Sequence, residues 1–196
     1  MKYFKNIINI SLIALTGILY SHSISATPTA STKTQNISQQ NLGISVDQFK
    51  VNFNKLSSQI GAPQIKSMKL ENEGEGKTFA IQMPNHLSMI GNADTKGMLT
   101  RLSVGLDVAQ VPKNELGDHS MILGGFAMTA IKAVDQNKND DKRDDAVQDV
   151  YEAIWKDKKT FTEQNIKNKI YKNYKLASFS NPRMGVIMIG VEPNKK

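Results

Sequence analysis

The sequence contains no cysteine, and this absence excludes several classes of protein. A bacterial lipoprotein is anchored through a cysteine at the cleavage point of its signal peptide, so an anchor of that kind is excluded. Disulfide bonds are also impossible, and an exported domain with this sequence must be stabilised by its hydrophobic core alone. With only three histidines and no cysteine, the sequence shows no cluster of the three or four ligands that a zinc site needs.

Arginine is scarce, and scattered lysines carry most of the positive charge. The arginines are Arg101, Arg143 and Arg183, although the formal net charge is +7, or +5 without the two lysines of residues 1–5. Nucleic-acid-binding proteins usually carry a basic stripe with arginine or aromatic partners, and the sequence contains none. We therefore expect a mildly basic, solvated surface and no nucleic-acid partner, while attraction to an anionic partner or membrane surface stays open.

Long hydrophobic runs are missing, except for one at the N-terminus that is typical of a secretory signal peptide. Lys2 and Lys5 precede a mostly apolar stretch over residues 7–19, and small polar residues follow it up to Ala26. This order predicts a cleaved signal peptide, with Ala26 as the preferred cleavage point and Ser23 or Ala30 as alternatives. The apolar run is shorter than the roughly 20 residues of a membrane-spanning helix. We therefore expect a soluble protein, exported through the secretory pathway to the periplasm or the extracellular space, without a stable membrane anchor.

The composition divides the chain into three predicted parts. Residues 1–26 are the cleaved signal peptide, and residues 27–42 are mainly Thr, Ser, Gln and Asn with almost no apolar side chains. Such a segment cannot bury enough surface to offset its ordering entropy, so we predict a disordered polar tether. Residues 43–194 are enough for one domain with its own hydrophobic core.

The spacing of apolar residues predicts an α+β fold for this domain. A capping box places the start of a first helix at Ser45, and residues 98–108 alternate as the clearest strand. The predicted order is one helix, four strands, two or three helices and two strands, with Ile166 and Ile170 on the short third helix. Short turns between strands favour an antiparallel sheet of about six strands with the helices packed on one face. The last strand, residues 185–191, is apolar on both faces and is therefore expected near the sheet centre.

An acidic loop between two predicted helices is the best candidate for a metal site. Oxygen-bearing side chains alternate along it, as in calcium-binding loops, where alternate side chains converge on one ion. Two positions depart from that pattern. The sixth position of a calcium loop is a glycine, which permits a sharp turn, but this sequence has Asp140 there. The twelfth is a glutamate that chelates the ion through both oxygens, but this sequence has Ala146. The alternative is a solvated loop whose acids stabilise the N-terminus of the next helix. The candidate calcium ligands are Asp135, Asn137, Asn139 and Asp141.

Charged turns are the candidate recognition surface. Loops often carry function, and three of them are rich in charge: residues 71–77, 92–97 and 135–145. Arg101 and Asp107 lie on the polar face of the predicted fourth strand, where a surface ion pair is the alternative to a cleft. The candidate binding residues are Glu73, Glu75, Asn92, Asp94, Arg101 and Asp107.

No catalytic motif is present, and this favours a binding protein over an enzyme. His86 and His119 are not accompanied by a nucleophile motif that would support serine catalysis. We therefore expect a non-enzymatic protein of the bacterial-type envelope or the extracellular space that recognises another protein, as an inhibitor or immunity protein does. No cofactor is expected apart from calcium in the acidic loop.

Two other functions stay open. A small hydrolase would need a deep pocket that holds at least two of the acids Asp107, Glu115 and Asp118, which only the fold would bring together. A carrier of a small apolar molecule would need an enclosed cavity between the sheet and the apolar helix at residues 121–134. The side chains expected to line that cavity are Phe126, Met128, Val104 and Ile187.

Overall fold

The computed structural model of the protein describes residues 41–135 and 140–194. The predicted signal peptide and most of the predicted tether lie outside these ranges, as do Asn137 and Asn139 of the predicted calcium loop. Within the described ranges, no helix combines the length and the apolar character that a membrane crossing requires.

Helices and strands follow one another in the described chain as one helix, four strands, two helices and three strands. Short 3-10 turns at Lys113–Glu115 and Lys158–Phe161 flank the two later helices. The helices are α1 Val46–Gln59, α2 Leu116–Val134 and α3 Asp141–Lys156. The strands are β1 Glu71–Glu73, β2 Gly76–Gln82, β3 Leu87–Ala93, β4 Leu99–Asp107, β5 Asn165–Tyr171, β6 Tyr174–Asn181 and β7 Val186–Pro193.

The strands form one antiparallel sheet in the order β1-β2-β3-β4-β7-β6-β5. Short turns join β1 to β4 and β5 to β7, and the two groups meet where β4 pairs with β7. Strand β7 lies beside the central strand β4, and successive side chains such as Met188 and Ile189, which point to opposite faces of the sheet, are both buried, in agreement with its apolar sequence. The predicted α+β class and antiparallel sheet are confirmed, with one strand more than expected.

The predicted short helix at Ile166 and Ile170 is wrong, because this segment forms strand β5. A spacing of four residues places two side chains on one face of a helix, but it also places them on one face of a strand. The backbone of β6 supplies hydrogen-bond partners along the whole segment, with Ile166 opposite Phe179. Before this strand, Thr160 lies in a 3-10 turn, and its hydroxyl donates to the Ile154 carbonyl.

The three helices pack on one face of the sheet and enclose the main core. Alternate residues of β4 face this core, among them Val104, which lies opposite Ile189 of β7. From the helices, Phe53 of α1 meets Phe126 of α2 edge-on, with ring centroids 5.2 Å apart. The Ser178 hydroxyl of β6 donates to a carbonyl of α3 at 2.8 Å, so α3 lies on the same face. The expected packing of helices on one face is therefore confirmed.

Residues 42–45 attach the start of α1 to the sheet. The Leu42 N–H donates to the Leu99 carbonyl at 2.7 Å, and the Leu42 side chain is buried. Ser45 bridges Met98 and also caps α1, since its hydroxyl accepts the Gln48 N–H at 3.1 Å. The predicted helix start is confirmed, and α1 begins beside the β3–β4 turn.

Candidate functional site

Because consecutive strands of the sheet are antiparallel, successive turns lie at alternate ends of the sheet. The register places Gly76 opposite Glu73, and Tyr174 opposite both Tyr171 and Pro193. The β1–β2, β3–β4 and β5–β6 turns therefore lie together at one end, with the end of β7 between them. We name this surface the turn end, comprising residues 71–77, 92–101, 171–175 and 192–193.

Five of the six predicted binding residues lie at the turn end. Glu73 and Glu75 belong to the β1–β2 hairpin, Asn92 and Asp94 to the β3–β4 connection, and Arg101 to the start of β4. The sixth residue, Asp107, lies at the opposite end of β4. Its carboxylate accepts the Ala109 N–H at 3.1 Å and the Gln110 side-chain amide at 2.5 Å, so it stabilises its own loop. Arg101 and Asp107 therefore do not form a common site.

Arg101 instead belongs to an ion network that crosses three strands. Its guanidinium donates to the Glu192 carboxylate of β7 at 3.1 Å, and the Lys175 ammonium of β6 lies 3.4 Å from the other carboxylate oxygen. Arg101 points away from the helices, because the next residue, Leu102, faces the core. The side chains are only 19%, 17% and 27% exposed, respectively. This partial burial reduces screening by solvent, so the network holds the middle of the turn end in place.

The outer parts of the turn end present charges that are not paired. Glu73, Glu75 and Lys96 are exposed, and none of these side chains forms an ion pair within the described ranges. Asp94 differs from them, because its carboxylate accepts the backbone N–H groups of Lys96 and Met98, each at 2.9 Å. The turn is thus rigid at Asp94, while the neighbouring charges remain available to a partner.

Two carboxylates of the predicted calcium loop, those of Asp135 and Asp140, contact a phenol and two cations. The Tyr171 hydroxyl lies 3.0 Å from an Asp135 carboxylate oxygen and 2.5 Å from one of Asp140, which also binds the Lys172 ammonium. The buried Arg143 guanidinium donates to the Asp135 carbonyl at 3.2 Å. These contacts attach the loop between α2 and α3 to the β5–β6 turn, and so to the turn end.

The structure describes two of the four predicted calcium ligands, Asp135 and Asp141. Asp135 has the contacts just described, Asp141 is the first residue of α3, and Asn137 and Asn139 lie outside the described ranges. Within residues 41–135 and 140–194, no group of three or more His, Asp or Glu side chains has the geometry of a metal site. Calcium binding by this loop stays a prediction.

The contacts of the loop shift two pKa values in opposite directions. The hydrogen bond from Lys172, followed by the one from Tyr171, lowers the pKa of Asp140 to about 2. Burial, followed by the hydrogen bond to Asp140, raises the pKa of Tyr171 to about 12. At neutral pH the carboxylate is therefore ionised and the phenol keeps its proton, which is the combination that this hydrogen bond requires.

We expect Asp140 to make the fold sensitive to acid. A carboxyl whose pKa is lower in the folded state stabilises the fold above its unfolded value of about 3.9. That stabilisation is lost as the pH falls toward the folded value of about 2. Asp140→Asn, which keeps a good helix cap, should be less stable than the wild type at pH 7 and lose less stability between pH 4 and pH 2. Urea denaturation at several pH values measures both effects.

Asp145→Asn is the matched control for this experiment. Asp145 is exposed on α3 and makes no hydrogen bond or ion pair within residues 41–135 and 140–194, so the pH dependence should stay that of the wild type. An unchanged pH dependence in Asp140→Asn would contradict the role given to the Asp140 carboxylate.

Two open clefts flank the attachment of α3. One of about 350 Å³ lies between α1 and the start of α3, with Lys55, Lys132 and Arg143 among its lining residues. The other, of about 680 Å³, lies between α3 and the end of β5, with Asp149 and Lys169 in its wall. Both are open to solvent and lined mainly by residues that carry charged or amide groups, so neither is an enclosed cavity.

Neither cleft has the features that the two alternative functions require. The hydrolase acids Asp107, Glu115 and Asp118 do not line either cleft. Glu115 precedes α2 and Asp118 lies in its first turn, and both are exposed. For the apolar carrier, three of the four expected lining residues are buried in the main core and Met128 packs against it. The lining residues buried in the core are Val104, Phe126 and Ile187.

Sequence reasoning missed the contribution of the β5–β6 hairpin to the turn end. Lys172 has a φ of 50°, so the Lys172–Asn173 pair forms a tight turn with left-handed backbone between Tyr171 and Tyr174. Asn173 alone signals a turn, but Ile166 and Ile170 before it were predicted on a helix. Lys175 and Glu192 were missed because the pairing of β7 with β4 brings Glu192 to Arg101, and the pairing of β6 with β7 brings Lys175 to Glu192.

Comparisons of the chain with protein-family models, curated proteins and solved structures find no match.

Proposed function

We propose that the protein is a non-enzymatic binding protein that recognises another protein through its turn end. The observation that carries this proposal is the gathering of three charged turns at one end of one sheet. Loops on a rigid scaffold are the usual place for recognition residues, because the scaffold holds their backbones in position at little entropic cost. The ion network around Arg101 and the attachment of the acidic loop through Tyr171 supply this rigidity.

The dimensions of the turn end suit a protein partner. Seven strands at a spacing of about 4.8 Å make this edge about 30 Å wide. A stable protein interface of about 800 Å² on each side has a similar width. A small molecule, in contrast, is usually bound in an enclosed pocket, and the two clefts that flank the attachment of α3 are open to solvent.

The charges of the turn end predict a partner that carries both signs of charge. Acidic side chains predominate at the β1–β2 side, with Glu71, Glu73 and Glu75, whereas Lys96, which forms no ion pair within the described ranges, lies in the β3–β4 turn. A partner with the opposite arrangement would be guided to one orientation, because complementary charge mainly sets specificity and the rate of association. We place this partner in the envelope or outside the cell, following the predicted signal peptide, and an inhibitor or immunity protein is the class of function that fits.

A charge swap at the turn end tests this proposal. The full chain with a C-terminal tag is used to capture its partner from its own cells, and the affinity for that partner is then measured. Glu73→Lys combined with Lys96→Glu leaves the net charge unchanged and disturbs no described ion pair. We expect this variant to bind the partner at least tenfold more weakly, since like charges then face each other.

The matched control exchanges the charges of an exposed pair far from the turn end. Lys159 and Glu163 lie near the start of β5, at the other end of the sheet, with side chains 67% and 61% exposed. Lys159→Glu combined with Glu163→Lys should bind within twofold of the wild type. Equal affinity of all three proteins, or no stoichiometric partner at all, would contradict the proposal. Repeating the capture with calcium and with a chelator shows whether the acidic loop participates.

A further inference from the structure

The end of the sheet opposite the turn end brings together two histidines that are 33 positions apart. The ring centroids of His86 and His119 are 5.6 Å apart, and the ring planes are inclined by 37°. They are the only histidines within the described ranges. His86 lies in the β2–β3 turn and His119 in the first turn of α2, so the contact joins the sheet to a helix.

The backbone of the β2–β3 turn fixes the position of His86. Asn85 and His86 have φ values of 60° and 59°, in the left-handed region that favours glycine and, to a lesser degree, asparagine, aspartate and histidine. The turn is held by the Asp107 N–H, which donates to the His86 carbonyl at 3.0 Å. The His86 backbone is therefore held in place beside the first turn of α2.

The second ring is held in one orientation and one tautomer. Nδ1 of His119 lies 3.2 Å from the Asn85 carbonyl oxygen, which only accepts hydrogen bonds, so Nδ1 carries the proton. In the neutral ring Nε2 then has a free lone pair, and it lies 3.7 Å from a carboxylate oxygen of Glu115. Histidines that bind metals usually show this arrangement, with one ring nitrogen donating to a carbonyl and the other facing the ion.

The separation of the rings fits two imidazoles on one ion. At metal–nitrogen distances of about 2.0–2.1 Å, two imidazoles that share an ion have ring centroids roughly 5–6 Å apart. Imidazole nitrogen suits zinc, copper and nickel, whereas calcium and magnesium prefer oxygen. Within the described ranges no third His, Asp or Glu side chain joins the pair in metal-site geometry. The protein therefore offers two ligands, which suit weaker binding than a structural zinc site.

We propose that His86 and His119 together bind one divalent transition-metal ion of the zinc and copper class. The two imidazoles supply the protein ligands, and solvent completes the coordination. Glu115, whose side chain is half exposed, adds negative charge beside the ion. This site lies at the opposite end of the sheet from the proposed protein-binding surface, so either proposal stands or fails without the other.

Calorimetric titration of the full chain with Zn²⁺ and with Cu²⁺ tests the site, using protein without a histidine tag. We expect saturable binding of one ion per chain. His86→Gly and His119→Ala should each weaken it at least tenfold, because each removes one of two nitrogen ligands. Asp118→Asn is the control, since it changes an exposed acid in the first turn of α2 without removing an imidazole, and it should bind within twofold of the wild type.

His86→Gly also separates loss of the ligand from loss of the fold. Because glycine suits the left-handed backbone at this position, the variant should melt at the wild-type temperature or above it when no metal is present. The wild type should melt several degrees higher with excess Zn²⁺, and this shift should be absent in His86→Gly. Absence of saturable binding, full binding by His86→Gly, or loss of binding in Asp118→Asn would each overturn the proposal.

Discussion

Arg143→Met should destabilise the fold by about 3 kcal/mol. The guanidinium is only 1% exposed, and it donates to one Asp144 carboxylate oxygen from two nitrogens, at 2.9 and 2.8 Å. It also donates to the Asp135 carbonyl, so it connects the end of α2 to the start of α3. Removing one partner of a buried ion pair costs about 3–5 kcal/mol, because the other group is left desolvated. About a third of the Asp144 side chain is exposed, so its carboxylate regains some hydration when the guanidinium is removed. We therefore expect a loss of stability at the lower limit of this range.

Urea denaturation followed by circular dichroism measures this loss, and Arg183→Met is its control. Arg183 is exposed in the β6–β7 turn, so its replacement should change stability by less than about 0.5 kcal/mol. Asp144 also pairs with Lys132 at 2.7 Å. If Arg143→Met costs less than about 1 kcal/mol, the Lys132 contact suffices for Asp144 and the guanidinium has no large structural role.

Gly91→Ala should destabilise the fold by about 3 kcal/mol. Gly91 on β3 lies opposite Phe79 on β2, and a Cβ atom added at Gly91 would lie 2.3 Å from the Phe79 ring. Phe79 is 1% exposed within the main core, so the ring cannot move aside into solvent. Overpacking of a core usually costs about 1–3 kcal/mol, and this overlap is severe. For a chain of this length the loss corresponds to a melting temperature about 6–12 °C lower.

Gly125→Ala is the matched substitution, because a Cβ atom added at Gly125 on α2 meets nothing within 4 Å. Alanine is favoured over glycine in a helix by up to about 1 kcal/mol, so this variant should be more stable than the wild type. Thermal melts of both variants distinguish the two environments. The double variant Gly91→Ala, Phe79→Leu should regain part of the lost stability, and a cost unchanged by Phe79→Leu would show that the ring is not the cause.

Local patterns in the sequence were sufficient for the class of the fold. The start of α1 at Ser45 follows from side-chain capping of adjacent backbone groups, which requires no distant residue. The alternation over β4 and the short turns between strands identified an antiparallel sheet for the same reason. The segment with Ile166 and Ile170 could not be assigned in this way, because a spacing of four fits a helix and a strand equally.

The sequence predicted individual residues of the candidate site but not how they come together. Glu73, Glu75 and Asp94 were recognised from charge and turn composition, which are local properties. Their assembly with Lys172 and Lys175 depends on the pairing of β4 with β7, two strands separated by about 80 residues. No pattern in either segment specifies that pairing.

The sequence by itself determined the α+β class, the start of α1, the antiparallel sheet and the location of the charged turns, because capping, alternation and turn chemistry act between near neighbours. Tertiary structure alone decided that Arg101 binds Glu192 instead of Asp107, that residues 165–171 form a strand, and that His86 meets His119. These outcomes depend on strand order and on helix packing against the sheet, which bring together residues far apart in the chain.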